Sequence, residues 1–195
     1  MTCCIAYKIK EGIILVADSA GTDEDDNQVL RQDPKIMKSK NFMFAISGSF
    51  RLRDILMYDF IVPNKSEDET IDKYMRTKFI NKFRETCIKK GATKKVDENE
   101  ELLGNVIVAY KDKIYQIESD FQVGESIDDF AAIGSGSQLA LGALSTLSKL
   151  APKYFKKDVI KKTLFDILEN VSVYKASVRG PYISIDSFED KKDDQ

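Results

Sequence analysis

The order of elements readable along this 195-residue chain predicts an α+β fold, a four-layer αββα sandwich. Three observations predict it. Short β-branched and apolar runs come in pairs, amphipathic helical stretches also come in pairs, and the two kinds alternate as strands, two helices, strands, two helices, strand. Pairs of strands feeding pairs of helices place two sheets face to face, with helices on both outer sides. A doubly wound parallel sheet would instead alternate single strands with single helices.

The first two runs, residues 3–9 and 13–18, flank Lys10-Glu11-Gly12 and predict an N-terminal hairpin. A polar loop of about 16 residues, rich in Asp and Gly, is expected next. Lys35-Ile36-Met37 and Phe42 to Ile46 then form two strands around the turn 38–41, the second apolar enough to be covered on both faces. After Ser47-Gly48-Ser49 the period becomes helical. Leu52, Ile55, Leu56, Asp59 and Phe60 track one face up to Pro63, and a second helix is expected over 68–90 with Ile71, Tyr74, Met75, Phe79, Phe83 and Cys87 at three- and four-residue spacing. Strands return at 102–110, 113–118 and around 130–133. Gly134-Ser135-Gly136-Ser137 leads into a helix lined by Leu139, Ala140, Ala143, Leu144 and Leu147. A further helix over 155–173 carries Val159, Ile160, Leu164, Ile167, Leu168 and Val171, and a last strand covers 182–188. The chain 1–195 is expected to be one domain, with 189–195 a frayed charged tail.

Composition excludes several function classes. An apolar fraction of 43% with 32% charged residues is that of a globular protein, and the net charge of −2 comes from interleaved acids and bases without a basic face for nucleic acid. No run approaches a membrane span, the N-terminal residues lack the basic-then-apolar layout expected of a signal peptide, and three cysteines without paired spacing indicate no disulfide framework. A reducing cytoplasm is the expected compartment. With no histidine and too few cysteines no zinc site is expected, nor any other metal or cofactor. Asp23, Asp25 and Asn27 begin like a calcium loop, but Gln28 stands where glycine is needed and Pro34 where the bidentate glutamate belongs, so 23–27 is a solvated acidic loop.

A histidine-free chain cannot use imidazole as a base. Threonine directly behind the start Met offers another chemistry: with Met1 removed, the α-amine of Thr2 titrates near 7.7–8.0 and can take the proton of its own hydroxyl. Removal of Met before a small second residue is usual. Lys35 would place positive charge near that hydroxyl and depress the amine, Asp18 would hold the lysine, and the backbone N–H of Gly48 would receive a developing oxyanion. These groups also have structural readings. Asp18 with Lys35 can be a buried ion pair, Gly134 to Ser137 a turn and helix cap, and Cys3 and Cys4 strand residues pointing to opposite faces.

Thr2-Cys3-Cys4-Ile5-Ala6, Gly12 and Ala17-Asp18-Ser19 stand ungapped at the spacing of a known family. Lys35-Ile36, Ala45-Ile46-Ser47-Gly48-Ser49 and Ile133-Gly134-Ser135-Gly136-Ser137 follow in the family order. Over about residues 2–185 the chain resembles the N-terminal nucleophile (Ntn) hydrolases of the proteasome β-subunit and bacterial HslV type. The resemblance implies a threonine endopeptidase with Thr2, Asp18, Lys35, Gly48 and Ser135 as catalytic residues. It also implies Thr22 and Ser49 in substrate binding, with Ser19 and Ser177 in support. Implied partners are a peptide or unfolded protein substrate, further copies of the chain in a homo-oligomeric ring, and an ATP-dependent unfoldase. A catalytically silent assembly subunit and an amidase acting on small-molecule amides are the alternatives. Two departures from the family pattern stand out. Ala20 follows Asp-Ser where many members carry arginine, and Tyr174-Lys175-Ala176-Ser177 has no aspartate where β-subunits have Asp-x-x-Ser-Gly.

Overall fold

A computed structural model describes residues 2–22, 27–150 and 155–188. The predicted hairpin is present as β1 (Cys4–Ile9) and β2 (Gly12–Ala17). The expected 16-residue polar loop is not loop throughout. It holds β3 (Ala20–Thr22) and β4 (Gln28–Leu30), paired with each other, while the acidic residues 23–26 lie outside the described residues. Next come β5 (Ile36–Ser39), β6 (Phe42–Gly48) and α1 (Phe50–Asp54), whose helix continues as a π-helical turn through Ile55–Asp59.

The second helix begins at α2 (Ile71–Tyr74), widens through a π-helical turn at Met75–Phe79 and ends as α3 (Ile80–Lys90). The extra residue in that turn keeps Tyr74, Met75, Phe79 and Phe83 on one buried face. Two short strands that the sequence pattern does not disclose, β7 (Thr93–Val96) and β8 (Asn99–Leu102), form an exposed hairpin. They lead to β9 (Gly104–Tyr110), β10 (Lys113–Ile117), the equally undisclosed β11 (Val123–Glu125), and β12 (Phe130–Ile133). The chain closes with α4 (Ser137–Leu150), α5 (Lys157–Tyr174) and β13 (Ile183–Asp186). The tail expected to fray, 189–195, lies outside the described residues.

One sheet has the strand order β12-β1-β2-β13 and the other β11-β10-β9-β6-β5, with antiparallel neighbours throughout. Strand alternation sorts the core into three apolar layers. Between the sheets lie small and branched residues, among them Cys4, Ala6, Leu15, Ala45, Ile107 and Ala131, which let the sheets approach closely. On the outer face of the five-stranded sheet, Phe42, Phe44 and Ile46 meet Phe60, Tyr74, Phe79 and Phe83 of the first helical layer. The stacked and edge-on ring pairs of that layer each add about 0.5–1.5 kcal/mol beyond area burial. On the outer face of the other sheet, Cys3, Ile5 and Val16 meet Ala140, Leu144, Ile160, Leu164, Leu168 and Val171 of α4 and α5. The protein is therefore an αββα sandwich, and Phe42 to Ile46 is covered on both faces as its apolarity predicts.

Two helical positions differ from the sequence expectation. Leu139 is 41% exposed and Val159 47% exposed, while on the first of these helices Leu141 packs against the core. Both sit in the first turn of their helix, where the chain is still arriving at the sheet and the apolar stripe is not yet seated.

Candidate functional site

Thr2 enters β1 at one end of the sandwich and is only 3% exposed. The loop from Gly134 to Ser137 wraps it. Gly136 N–H donates to the Thr2 carbonyl at 3.2 Å, Ser135 Oγ also approaches that oxygen at 3.4 Å, and Thr2 N donates to Ser135 Oγ at 3.3 Å. Ser135 Oγ in turn lies 3.1 Å from Ser177 Oγ, so a chain of hydroxyls leads from the Thr2 nitrogen to the segment after α5. This loop needs glycine at 134: its φ is +96°, and a Cβ there would stand 2.2 Å from the Thr2 carbonyl oxygen.

Asp18 follows β2 and is wholly buried, as is Lys35 just ahead of β5 at 1% exposure. Lys35 Nζ donates to Asp18 Oδ1 at 2.8 Å, and the same oxygen accepts the Cys3 N–H at 2.9 Å, which ties the ion pair to the residue after Thr2. The other oxygen, Oδ2, accepts Ala20 N–H at 3.1 Å and Arg179 N–H at 3.4 Å. A carboxylate taking three backbone donors and an ammonium is a fully satisfied buried charge, the only condition in which one is tolerated. Ser19 extends the same junction: its hydroxyl donates to the Pro181 carbonyl at 2.6 Å, and its N–H to the Arg179 carbonyl at 3.0 Å. The segment 179–181 thus closes over the Asp18–Ser19 corner, a contact 161 residues distant in sequence that no local pattern discloses.

Gly48 ends β6 opposite Gly104, with φ of +93°, and a Cβ on it would meet the Leu103 carbonyl oxygen at 2.4 Å. It lines a cavity of about 530 Å³ together with Thr2, Ser47, Asn105, Glu118, Ser135 and Gln138. Thr22 and Ser49 are not in that lining. Thr22 pairs with Gln28 in the short hairpin and its Oγ1 is buried with no hydrogen-bond partner, whereas Ser49 caps α1, its Oγ accepting the Arg51 N–H at 3.2 Å.

The neighbouring thiols do not compete for nucleophilic chemistry. Burial, reinforced by the Asp18 charge, pushes Cys3 up to about 12, and burial raises Cys4 well above the ordinary thiol value. Both stay protonated at neutral pH, and they point to opposite faces of their sheet, Cys3 toward the helices and Cys4 between the sheets. Among the described residues no group of three or more His, Cys, Asp or Glu is placed to hold a metal ion, and no helix is long and apolar enough to cross a membrane.

Comparison with known proteins follows the same lines. The structure of Thiobacillus denitrificans BPH matches with a TM-score of 0.72 at 20% identity, covering 94% of this chain and 96% of that one. The same protein in complex with epoxomicin matches at 0.71 with 21% identity and the same coverage. HslV from Trypanosoma brucei gives 0.63 at 14% identity over 94% of this chain and 97% of that one, and Anbu from Yersinia bercovieri 0.65 at 12% over 94% and 80%. At these identities the likeness establishes the fold. No curated protein matches at a significant level. The family model described as "Proteasome subunit" matches residues 1–173, most of the chain, and the protein therefore belongs to the proteasome subunit family, with the Ntn-hydrolase fold of its β-subunit and HslV branch.

Proposed function

We propose that this protein is a threonine-type endopeptidase whose nucleophile, Thr2, is completed by removal of Met1. The observation that carries the proposal is the environment of one nitrogen. Thr2 lines the cavity and its N is bonded to Ser135 Oγ and linked through it to Ser177, while the Asp18–Lys35 pair sits against the adjacent Cys3 amide. Freed of Met1, that nitrogen is an amine of the kind that ordinarily titrates near 7.7–8.0 and can take a proton at neutral pH.

In the first half-reaction the amine takes the Thr2 hydroxyl proton as Oγ attacks the substrate carbonyl carbon. The oxyanion is received at the Gly48 N–H, and the proton passes to the departing amine as the C–N bond breaks, leaving an acyl ester on Oγ. Water, deprotonated by the same amine, then hydrolyses the ester and regenerates Thr2. Asp18 fixes the Lys35 ammonium, Ser135 and Ser177 hold the amine, and Ser19 anchors the corner from which Asp18 projects. No metal or cofactor enters this scheme.

Family membership supports a peptide or unfolded protein as the substrate, within a homo-oligomeric ring fed by an ATP-dependent unfoldase. Tyr58 and Ile61, 75% and 74% exposed beside the first helical layer, offer apolar surface for a neighbouring subunit. The test is turnover of a fluorogenic peptide, its inhibition by epoxomicin, and the state of the N-terminus by intact mass. The proposal expects Met1-free chains that cleave and are inhibited, and inert Thr2→Ala chains. An oligomer that keeps Met1 and resists the inhibitor would instead be a silent assembly subunit, and one that hydrolyses only small amides an amidase.

A further inference from the structure

The faces that the two sheets turn toward each other are apolar along most of their length and become polar at the Thr2 end. On β6 the inward positions run Met43, Ala45, Ser47, and on β9, read toward the same end, Ala109, Ile107, Asn105. On β10 they run Ile114, Gln116 and then Glu118 just past the strand, while the alternating Tyr115 and Ile117 face the helices. Ser47 pairs with Asn105 across the ladder, and Asn105 Nδ2 donates to Glu118 Oε2 at 2.6 Å. The result is a polar row across one wall of the cavity that also holds Thr2.

In that row Glu118 stands apart. Among the described residues that line the cavity it alone carries an ionisable side chain; the others are hydroxyls, amides, apolar side chains and glycines. Among the described residues no lysine or arginine pairs with it, and its second oxygen, Oε1, has no hydrogen-bond donor. Carboxylates elsewhere on the chain find ammonium partners readily, as Asp72 and Glu125 do with Lys113. A half-buried carboxylate held rigid through one oxygen and open through the other is pre-organised to accept a charge-assisted hydrogen bond from a ligand.

We infer that Glu118 is a specificity determinant that selects substrates carrying a cationic group, an arginine or lysine side chain, adjacent to the bond under attack. The inference rests on the proposal that Thr2 is the nucleophile, because that fixes where the scissile amide lies relative to the wall. The shared chemistry, a guanidinium or ammonium meeting Oε1, can be presented from either side of the scissile bond. Asn105 acts as a positioning residue that holds Oε2, while Gln116 and Gln138 offer neutral amides to the substrate backbone.

The test uses the full chain, freed of Met1, and fluorogenic peptides in matched pairs that differ only in arginine against its neutral isostere citrulline. One pair carries the substitution on the acyl side of the cleaved amide and the other on the leaving side. At one of these positions the arginine peptide is expected to have about tenfold higher kcat/KM, the scale of one hydrogen bond to a charged partner. Glu118→Gln, which can still accept the Asn105 bond, should bring the ratio to about one, and Glu118→Lys should invert it in favour of glutamate over glutamine peptides. A parallel calorimetric titration of the same peptides into Thr2→Ala chains reads binding without catalysis and should return the same arginine preference. Ratios near one at both positions and in the titration would overturn the inference, as would a preference that survives Glu118→Gln. If neither peptide is cleaved but arginine binding is preferred and lost in Glu118→Gln, the nucleophile assignment fails and the cation site stands.

Discussion

Replacing Asp18 by asparagine tests the ion pair on which the site is built. The substitution preserves shape but turns one acceptor oxygen into an NH2 donor. If the amide replaces Oδ1 it faces Lys35 Nζ and the Cys3 N–H, and if it replaces Oδ2 it faces the N–H groups of Ala20 and Arg179. Either way two donors lose their acceptor, and the Lys35 ammonium, 1% exposed, loses the carboxylate charge that Asp18 supplies. Removing one partner of such a buried pair costs about 3–5 kcal/mol. For a chain of this size each kcal/mol moves the melting midpoint by about 2–4 °C, so the expected drop is roughly 6–20 °C. Urea unfolding followed by circular dichroism measures the free energy directly. Lys35→Met in the Asp18→Asn background removes the buried ammonium together with its lost Asp18 charge and should recover part of the loss, giving a double mutant less destabilised than the sum of its singles. A loss below about 1 kcal/mol for Asp18→Asn, the scale of a surface pair, or strict additivity in the double mutant, would refute the tightly coupled buried pair described here.

Three further outcomes are expected. Gly134→Ala forces a Cβ to within 2.2 Å of the Thr2 carbonyl in a left-handed backbone, and should cost about 1–3 kcal/mol from backbone strain alone and displace Thr2. Gly142→Ala, on α4 with nothing within 4 Å of its Cβ, should stabilise by about 0.5–1 kcal/mol; chemical denaturation of both reads the contrast, and equal effects would contradict it. Stability should also fall in alkali. Burial pushes the Cys3 and Cys87 thiols from 9.0 up to about 12, so between those values the unfolded chain has lost protons that the folded chain keeps, and each thiol removes about 1.4 kcal/mol per pH unit. Urea melts at about pH 8 and about pH 10 should differ accordingly, with the slope reduced in Cys87→Ala; a flat profile would show that these thiols are not desolvated.

The elements legible in the sequence are those whose burial imposes a period. β1, β2, β6, α3 and α5 carry apolar residues on every position or on one stripe, because a helical layer or a facing sheet covers them. β3, β4, β7 and β8 were hidden because all but Ala20 and Leu102 of their residues are exposed or half-buried; a pair such as Lys94 and Glu101 stabilises a hairpin without leaving an apolar alternation. The placement of Thr2, Asp18, Lys35, Gly48 and Ser135 was legible because their spacing resembles a family pattern, even though their contacts span up to 133 residues. Arg179, Pro181, Asn105 and Glu118 were not. The first two act through backbone groups, which any residue supplies, and the last two matter only through a strand register that brings their polar ends to the same cavity.

The most direct measurement of the central claim is intact mass of the purified full chain before and after reaction with an electrophile directed at an N-terminal threonine, with the adduct located by peptide mapping. The claim predicts a chain lighter by Met1 that gains a single adduct on Thr2, and no adduct in Thr2→Ala. A chain that retains Met1, or one that has lost it and stays unmodified, would contradict the assignment of Thr2 as nucleophile.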